Sequence, residues 1–157
     1  MKKFWKILKW AVVIVAVLFV IAQFFGPAKT NPATDESLTL QTQTPVDPKA
    51  LAILDRSCAD CHSNNTRWPW YANVAPVSWL VIGDVNEARH EMNFSEWGKY
   101  DQRRRNIRLG QICDLTKAGE MPLSIYTPLH PGSKLSADDV KVLCDWTEAE
   151  RGRMAVK

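Results

Sequence analysis

The longest apolar run of the chain lies near its N-terminus. From Ile7 to Phe25 there is no acidic residue, and only Lys9 and Gln23 interrupt the apolar positions. An apolar helix of this length suits the hydrocarbon core of a bilayer, which is roughly 30 Å thick. The run is apolar on all sides, which argues against a buried helix of a soluble domain. Residues 1–25 therefore predict an N-terminal transmembrane helix.

The charges around this helix predict its orientation. The lysines that precede or enter the run are Lys2, Lys3, Lys6 and Lys9. By the positive-inside rule the N-terminus stays in the cytoplasm, and everything after Phe25 is exported. We expect a single-pass protein of the bacterial cytoplasmic (inner) membrane with its main domain on the periplasmic side. A cleaved signal peptide is the alternative, but residues 21–25 lack the small-x-small pattern of a cleavage site.

The next segment is polar and lacks apolar periodicity. Residues 26–46 are rich in Thr, Pro, Ala and Gln, a composition typical of a flexible linker because it offers little surface to bury. We expect the folded domain to cover residues 47–150. Residues 151–157 are predicted to form a polar tail.

Helical periodicity returns at the start of the predicted domain. Asp47 followed by Pro48 is typical of an N-cap with proline at the first helical position. Leu51, Leu54 and Cys58 then recur at spacings of three and four, which places them on one face of a helix.

Three further helices follow along the chain. Ser78 is predicted to cap a helix over residues 79–90, and a third helix is predicted over residues 101–118, ended by Gly119. The sequence 136–139, Ser-Ala-Asp-Asp, resembles a capping box that opens a last helix. We therefore predict an all-α fold: a small helical domain after an N-terminal transmembrane helix.

The first predicted helix of the domain ends in Cys58-Ala59-Asp60-Cys61-His62. The spacing C-x-x-C-H is typical of c-type haem attachment. Two thiols add across the two vinyl groups of one porphyrin, and the adjacent histidine ligates the iron. The alternatives are a thioredoxin-like redox pair or two ligands of a zinc site. The sequence contains no second C-x-x-C-H, so we expect one covalent haem c.

An aromatic loop follows the motif. Trp68, Trp70 and Tyr71 lie close together in a segment marked as a loop by its Asn and Pro residues. We predict that Trp68 and Trp70 cover the haem, and that Arg67 contacts a propionate. The alternative is that these side chains fill a small core.

A second axial ligand is predicted from the loop after the third helix. Met121 precedes Pro122 in a rigid segment some sixty residues after His62, so its thioether is placed to occupy the sixth coordination position. His130, between two prolines, is the main rival. Bis-histidine ligation would lower the reduction potential relative to His/Met ligation.

Two cysteines stand outside the haem motif. Cys113 and Cys144 each lie on the apolar side of a predicted helix. In an oxidising compartment they pair if their helices are neighbours. Reduced, buried thiols are the alternative, and the sequence leaves this open.

The charge balance changes meaning once the anchor is set aside. The full chain has a net charge of +3, but the part after residue 26 has 16 basic and 17 acidic side chains. This balance gives no support for nucleic-acid binding. One basic run stands out, at Arg103, Arg104, Arg105 and Arg108. It reads either as a solvated helix face or as a docking patch for an acidic redox partner or anionic lipid.

These motifs together resemble the bacterial haem-binding domain family of small membrane-anchored proteins, which is related in plan to monohaem class I cytochromes c. The resemblance covers residues 47–150. It implies an all-helical haem domain with Cys58 and Cys61 as thioether sites, His62 as proximal ligand and Met121 as distal ligand. The stretches that carry it are Cys58 to Trp70, Ser78-Trp79, Phe94 to Trp97, Glu120-Met121-Pro122 and Leu129-His130-Pro131.

The sequence therefore predicts a membrane-tethered single-electron carrier with one haem c and an unidentified redox partner. No acid–base pair or nucleophile triad accompanies the motif, so electron transfer is favoured over ordinary hydrolytic catalysis. Two alternatives are a haem-based sensor or peroxidase-like enzyme with an open sixth position, and a redox-inert haem-binding interaction module.

Overall fold

The computed structural model describes residues 1–155, and every regular element in that range is helical. This confirms the predicted all-α fold class. The α-helices of the described residues are joined by turns and short 3₁₀ segments. In chain order they are α1 (Lys2–Ala22), α2 (Leu40–Gln43), α3 (Pro48–Ser57), α4 (Ala59–His62), α5 (Val77–Glu91), α6 (Gln102–Lys117) and α7 (Ala137–Ala155).

Two compact units make up the chain. The first unit contains residues 1–30 and 68–86, and the second contains residues 31–67 together with the chain from residue 87 onwards. Each predicted domain is one continuous stretch of sequence, whereas each unit of the structure joins two stretches that are distant in sequence.

Helix α1 is the long apolar helix of the first unit. It has 21 residues, and none of its side chains is buried. Its most apolar window has a mean hydropathy of 2.3, and within the described chain it is the one helix long and apolar enough to cross a membrane. A signal sequence near an N-terminus has the same features. The predicted apolar helix is therefore present, with a surface that suits lipid on all sides.

The chain that leaves α1 is fastened to a second segment of the same unit. The Gln23 side chain accepts a hydrogen bond from the Ala75 N–H at 2.9 Å and donates one to the Ala75 carbonyl at 3.3 Å. The Trp79 indole N–H donates to the Phe25 carbonyl at 2.6 Å. Gly26 permits this approach, because a Cβ there would lie 2.5 Å from Trp79 Nε1 and its φ is +145°.

Helix α5 begins earlier than the sequence predicted, at Val77 rather than Trp79. The predicted cap, Ser78, lies inside the first turn and is buried, with its N–H bonded to the Val74 carbonyl at 2.9 Å. The cap prediction was wrong. Pro76 precedes the helix, and its fixed φ and missing N–H suit a helix start without a side-chain cap.

The start of α3 confirms the predicted cap. Asp47 accepts hydrogen bonds from the backbone N–H groups of Lys49 at 2.8 Å and Ala50 at 3.3 Å. Pro48 is the first residue of the helix. Two of the N–H groups that a helix start leaves open are thereby satisfied.

The buried face of α3 differs from the predicted one. Leu51 is 38% exposed, whereas Ile53 is 6% exposed and Leu54 is 2% exposed. Ala50 has no exposed surface, and α3 packs against α7. The core side of α3 is therefore the row of Ala50, Leu54 and Ser57, spaced by four and three.

Trp97 lies at the centre of the second unit. It is fully buried within the 3₁₀ segment Phe94–Lys99, and its indole N–H donates to the Thr44 hydroxyl at 2.9 Å. The Tyr100 ring packs edge-on against it with centroids 5.7 Å apart. The apolar residues of the same core from α3, α6 and α7 are Ala50, Ile53, Leu54, Leu109, Ile112, Leu143 and Trp146.

Part of the predicted linker belongs to this core. Leu40, in α2, is 1% exposed and joins the apolar cluster around Trp97. Gly98 allows the approach of this segment, because a Cβ there would lie 2.8 Å from the Leu38 side chain. The linker composition hid this packing, since two leucines in a polar segment give no periodic signal.

Helices α6 and α7 pack against each other and are covalently joined. Cys113 and Cys144 form a disulfide, with their Cα atoms 4.7 Å apart. The sequence left this pairing open, and the structure resolves it in favour of the disulfide. The end of α6 is as predicted, with Gly119 in the left-handed region at φ +71°.

Helix α7 starts with the predicted capping box. The Asp139 carboxylate accepts from the Ser136 N–H and hydroxyl, both at 2.8 Å, and the Ser136 hydroxyl accepts from the Asp139 N–H at 3.1 Å. Arg56 of α3 pairs with the same carboxylate at 3.0 Å. At its other end α7 continues to Ala155, through most of the predicted tail, with Met154 half-buried against the core.

Replacing Asp139 tests the capping box and its pH dependence. The hydrogen bonds from Ser136 and the Arg56 charge lower the pKa of Asp139, so its stabilising effect is present above the unfolded pKa of about 3.9 and is lost as the pH falls through the lower folded pKa. Asp139→Asn should reduce the free energy of unfolding at pH 7 by about 1–2 kcal/mol. Urea unfolding of the full chain in detergent, followed by circular dichroism, measures it.

Asp138→Asn is the matched control, because Asp138 also lies in the first turn of α7 and is exposed. We expect a smaller effect from this control. A loss at Asp139 that equals the control, or that persists undiminished below pH 3, would contradict the assignment.

Candidate functional site

The cysteine–histidine motif forms its own short helix. The helical path of α3 breaks at Cys58, with φ −128° and ψ −37°, and α4 follows with Cys58 as its N-cap. The N–H groups of Cys61 and His62 both bond to the Cys58 carbonyl, at 3.1 and 2.9 Å. Cys58, Cys61 and His62 are spaced by three and four positions, which places their side chains on one face of this turn.

The orientation of His62 is set by two carbonyl groups. Its Nδ1 lies 2.9 Å from the Met92 carbonyl oxygen and 3.1 Å from that of Ala88. A carbonyl oxygen only accepts, so Nδ1 must carry the proton. Nε2 is then the nitrogen with a lone pair, which is the form that ligates a metal.

The surroundings of His62 favour its neutral form. Burial lowers the pKa of His62, opposed by the hydrogen bonds to Met92 and Ala88 and assisted by the charge of Arg108. The Phe94 ring packs beside the imidazole with centroids 5.8 Å apart. A neutral, oriented imidazole is what iron ligation requires.

The two thiols of the motif are not joined in a disulfide. Burial, and then the neighbouring Cys61, raise the pKa of Cys58 to about 12. A pKa this high disfavours the thiolate that a thioredoxin-like redox pair uses. The environment of Cys58 therefore argues against that alternative interpretation of the motif.

Asp60, between the two cysteines, makes several contacts that the sequence did not predict. Its Oδ1 accepts hydrogen bonds from the Arg67 backbone N–H at 3.1 Å and from Arg67 Nε at 2.8 Å. The Tyr126 hydroxyl donates to Oδ2 at 3.2 Å. No short-range spacing signals the pair of Asp60 and Tyr126, because they lie 66 positions apart.

Arg67 is held by the motif itself. Besides Asp60, its Nη2 donates to the Asp55 carbonyl at 2.8 Å, and its side chain is 59% exposed. The hydrogen bond to Asp60, then its charge, raises the pKa of Arg67. The predicted propionate partner thus already has carboxylate and carbonyl acceptors within the protein.

Both distal-ligand candidates lie in one loop. Met121 is half-buried at its start, with its N–H bonded to the Leu115 carbonyl at 3.2 Å. His130 stacks on Tyr126 with ring centroids 3.9 Å apart, and its Nδ1 lies 3.2 Å from the Tyr126 carbonyl. Because Tyr126 also bonds Asp60, the loop that carries both candidates is fastened to the motif helix.

The predicted aromatic cover lies in the other unit. Trp68 is half-buried, and Trp70 is 78% exposed. The Trp70 ring meets Tyr71 edge-on with centroids 5.8 Å apart. Both tryptophans belong to the first unit, whereas Cys58, Cys61 and His62 belong to the second.

Arg108 is a second residue that sequence reasoning missed. Its side chain is 17% exposed, and Nη1 pairs with Glu91 at 3.0 Å and donates to Gln111 at 2.7 Å. Its Nε–H is buried and has no acceptor among the residues that the structure describes. The sequence offered it only as one member of a basic run.

Two other arginines of that basic run have structural partners. The Arg104 guanidinium lies 4.2 Å from the centroid of the Tyr100 ring. Arg105 donates to the backbone carbonyls of Tyr100 at 2.9 Å and Gly98 at 3.1 Å. Two of its arginines therefore pack onto the 3₁₀ segment, as expected for side chains with long apolar stems.

A cavity of about 200 Å³ lies against α4. Its lining includes Ala59, Asp60 and Ser63 but not Cys58, Cys61 or His62. The cavity is therefore separate from the thiols and the imidazole.

These residues fit a haem. Two thiols and an imidazole with Nε2 available lie on one turn, and the 121–130 loop that is bonded to this turn contains a thioether and a second imidazole. The Arg108 Nε–H is buried and has no acceptor among the described residues. A haem has two vinyl groups, an iron and two carboxylates, which match these groups in kind.

Comparison with known proteins agrees with this chemistry. A family model described as "Haem-binding domain" matches residues 17–149. The match includes the segment of Leu40, which packs into the core. The comparisons with curated proteins and with solved structures found no match. Since the family model covers most of the chain, this protein belongs to the haem-binding domain family, and haem is its cofactor.

Proposed function

We propose that this protein is a membrane-tethered c-type cytochrome that carries single electrons on the periplasmic face of the cytoplasmic membrane. One haem would be held by thioether bonds to Cys58 and Cys61, with His62 as the proximal ligand. The observation that carries the proposal is the pair of carbonyls, Ala88 and Met92, that hold His62 Nδ1 and leave Nε2 for iron. When bound, the haem supplies an iron that alternates between Fe(II) and Fe(III).

The work of the chain is to fix the ligands. Hydrogen bonds from the non-ligating nitrogen set the orientation and basicity of a ligating imidazole, and the two carbonyls on Nδ1 do this for His62. A ligand that keeps one position in both oxidation states suits electron transfer, because little has to move when the charge changes.

The sixth ligand would come from the 121–130 loop. We propose Met121, with His130 as the rival, since the Tyr126 carbonyl orients His130 Nδ1 in the way that the proximal imidazole is oriented. Either residue would serve as the second protein ligand, and methionine would give the higher reduction potential.

The propionates would have two candidate partners. Arg67 was predicted from its place in the sequence, but its guanidinium is exposed and bonded to Asp60 and Asp55. Arg108 has a buried N–H without an acceptor among the described residues, and its charge acts on His62. Arg108 is therefore the better partner for an anionic group of the cofactor.

Two features support the proposed location. The apolar helix α1 carries its four lysines in its N-terminal part, which favours export of the rest of the chain. The disulfide between Cys113 and Cys144 is typical of an oxidising compartment. The redox partner is proposed only by its chemistry, as a one-electron donor or acceptor.

Visible spectroscopy of the full-length protein tests the axial ligands. We expect a low-spin haem whose methionine charge-transfer absorption disappears in Met121→Ala and persists in His130→Ala. Met154→Ala is the control, because Met154 is also half-buried but packs against the core.

Loss of the low-spin spectrum only in His130→Ala would instead indicate bis-histidine ligation. A high-spin resting haem that binds CO readily in the unmutated protein would overturn the carrier proposal in favour of the sensor or peroxidase alternative.

Haem staining after denaturation tests covalent attachment. The protein produced with a haem-attachment system should retain its haem in denaturing electrophoresis, and Cys58→Ser/Cys61→Ser should lose it completely. The double variant Cys113→Ala/Cys144→Ala removes the other cysteine pair and should keep the stain. Haem that survives in the first variant would exclude thioether bonds to this motif.

The reduction potential separates the two arginines. Removing a buried positive charge near the iron disfavours Fe(II), so Arg108→Gln should lower the potential by about 1 kcal/mol, on the order of 40 mV for one electron. Arg67→Gln should have a smaller effect, because water and Asp60 screen its charge. Potentiometric titration measures both, with the exposed Arg103→Gln as the charge control on α6. A larger shift in Arg67→Gln would restore Arg67 as the principal partner.

A further inference from the structure

Several large apolar side chains outside α1 are exposed in the first unit. Trp70 is 78% exposed, Leu80 63%, Val77 44% and Trp79 37%. They lie between residues 70 and 80, in the 3₁₀ turn Trp70–Asn73 and the first turn of α5. We call these four side chains the 70–80 patch. Haem binding and electron transfer give no reason to expose them to water.

The 70–80 patch is fastened to the point where α1 ends. Gln23 exchanges two hydrogen bonds with Ala75, in the middle of the segment that carries the patch. Trp79 itself donates to the Phe25 carbonyl, and its ring lies against the backbone of Gly26. These contacts all lie within the first unit. The patch thus begins where the apolar helix stops.

The composition of the patch matches the surface of a bilayer. Tryptophan is favoured at the membrane–water interface, where its ring is shielded and its N–H finds a polar partner. Lys29, which hydrogen-bonds Asn73, adds a positive charge near the patch, as suits anionic head groups. Further along α5 the exposed side turns polar at Asp84 and Asn86. The apolar character is therefore confined to the end nearest α1.

We propose that the 70–80 patch lies in the outer interface of the membrane that α1 crosses, so that lipid covers Trp70, Val77, Trp79 and Leu80. This inference rests on the proposed membrane tethering. It gives Trp70 a lipid partner in place of the haem contact that the sequence predicted. It also gives the segment after the haem motif a place at the membrane surface.

Three leucines of the unmodified chain provide the test. Leu18 in α1 is 58% exposed, Leu80 in the patch is 63% exposed, and Leu129 in the second unit is 62% exposed. Residue type and exposure are matched, so in water all three should be oxidised by hydroxyl radicals at similar rates. Ile107, which is 48% exposed on α6, is a second reference outside the 121–130 loop that contains Leu129.

The experiment is hydroxyl-radical footprinting of the full-length holoprotein in nanodiscs of phosphatidylethanolamine and phosphatidylglycerol, with one copy in each disc. We expect Leu80 and Leu18 to be oxidised several-fold more slowly than Leu129 and Ile107 after correction for intrinsic reactivity. Trp70 should likewise be oxidised more slowly than its intrinsic reactivity and its exposure in the structure predict. A single copy per disc removes self-association as a cause of protection.

The outcomes separate the inference from the proposal on which it rests. If Leu18 is protected while Leu80 reacts as fast as the references, the membrane tether stands and the interfacial patch is wrong. If Leu18 reacts as fast as the references, the tether itself fails and the patch falls with it.

Discussion

The hydrogen bond from His62 to the carbonyls of Ala88 and Met92 is the contact on which the site depends. The last carbonyls of an α-helix have no partner within the helix, and α5 ends at Glu91. The Ala88 carbonyl lies in the last turn of α5 and accepts from both the Met92 N–H and His62 Nδ1, and the Met92 carbonyl follows directly after the helix. The end of α5 thereby sets the tautomer of His62, the proposed proximal ligand.

A second set of contacts fastens the 121–130 loop to the motif. Asp60 stands between the two cysteines and accepts from both Arg67 and Tyr126. It therefore joins the turn after the motif to the loop that carries Met121 and His130. Aspartate at this position is not needed for thioether formation, and its contacts explain why an acid is useful there. Elsewhere in the second unit, Trp97 and the disulfide hold the helices that support this arrangement.

Features written in consecutive residues were predictable from the sequence. The Asp47 cap, the capping box of α7 and the left-handed Gly119 each follow from local spacing or local backbone needs. What was missed depends on partners far along the chain. The core position of Leu40 depends on Trp97, and the role of Asp60 depends on its contact with Tyr126. The role of Arg108 depends on the buried surroundings of its Nε–H. On the predicted apolar face of α3, Leu54 is buried but Leu51 is exposed and Ile53 is buried in its place, because the two side chains are equally apolar and tertiary packing decides between them.

The disulfide has a consequence for how the protein is made. Of the single disulfides that the four cysteines can form, only that between Cys113 and Cys144 leaves both motif thiols available for vinyl groups. On the proposed export route, Cys58 and Cys61 reach the outer side of the membrane before the other two cysteines, because they come earlier in the chain. Thiol oxidation and haem attachment thus draw on the same four sulfur atoms, and the order of the chain separates them in time. The order of the cysteines along the chain thus sets the order in which they emerge, with Cys58 and Cys61 before Cys113 and Cys144.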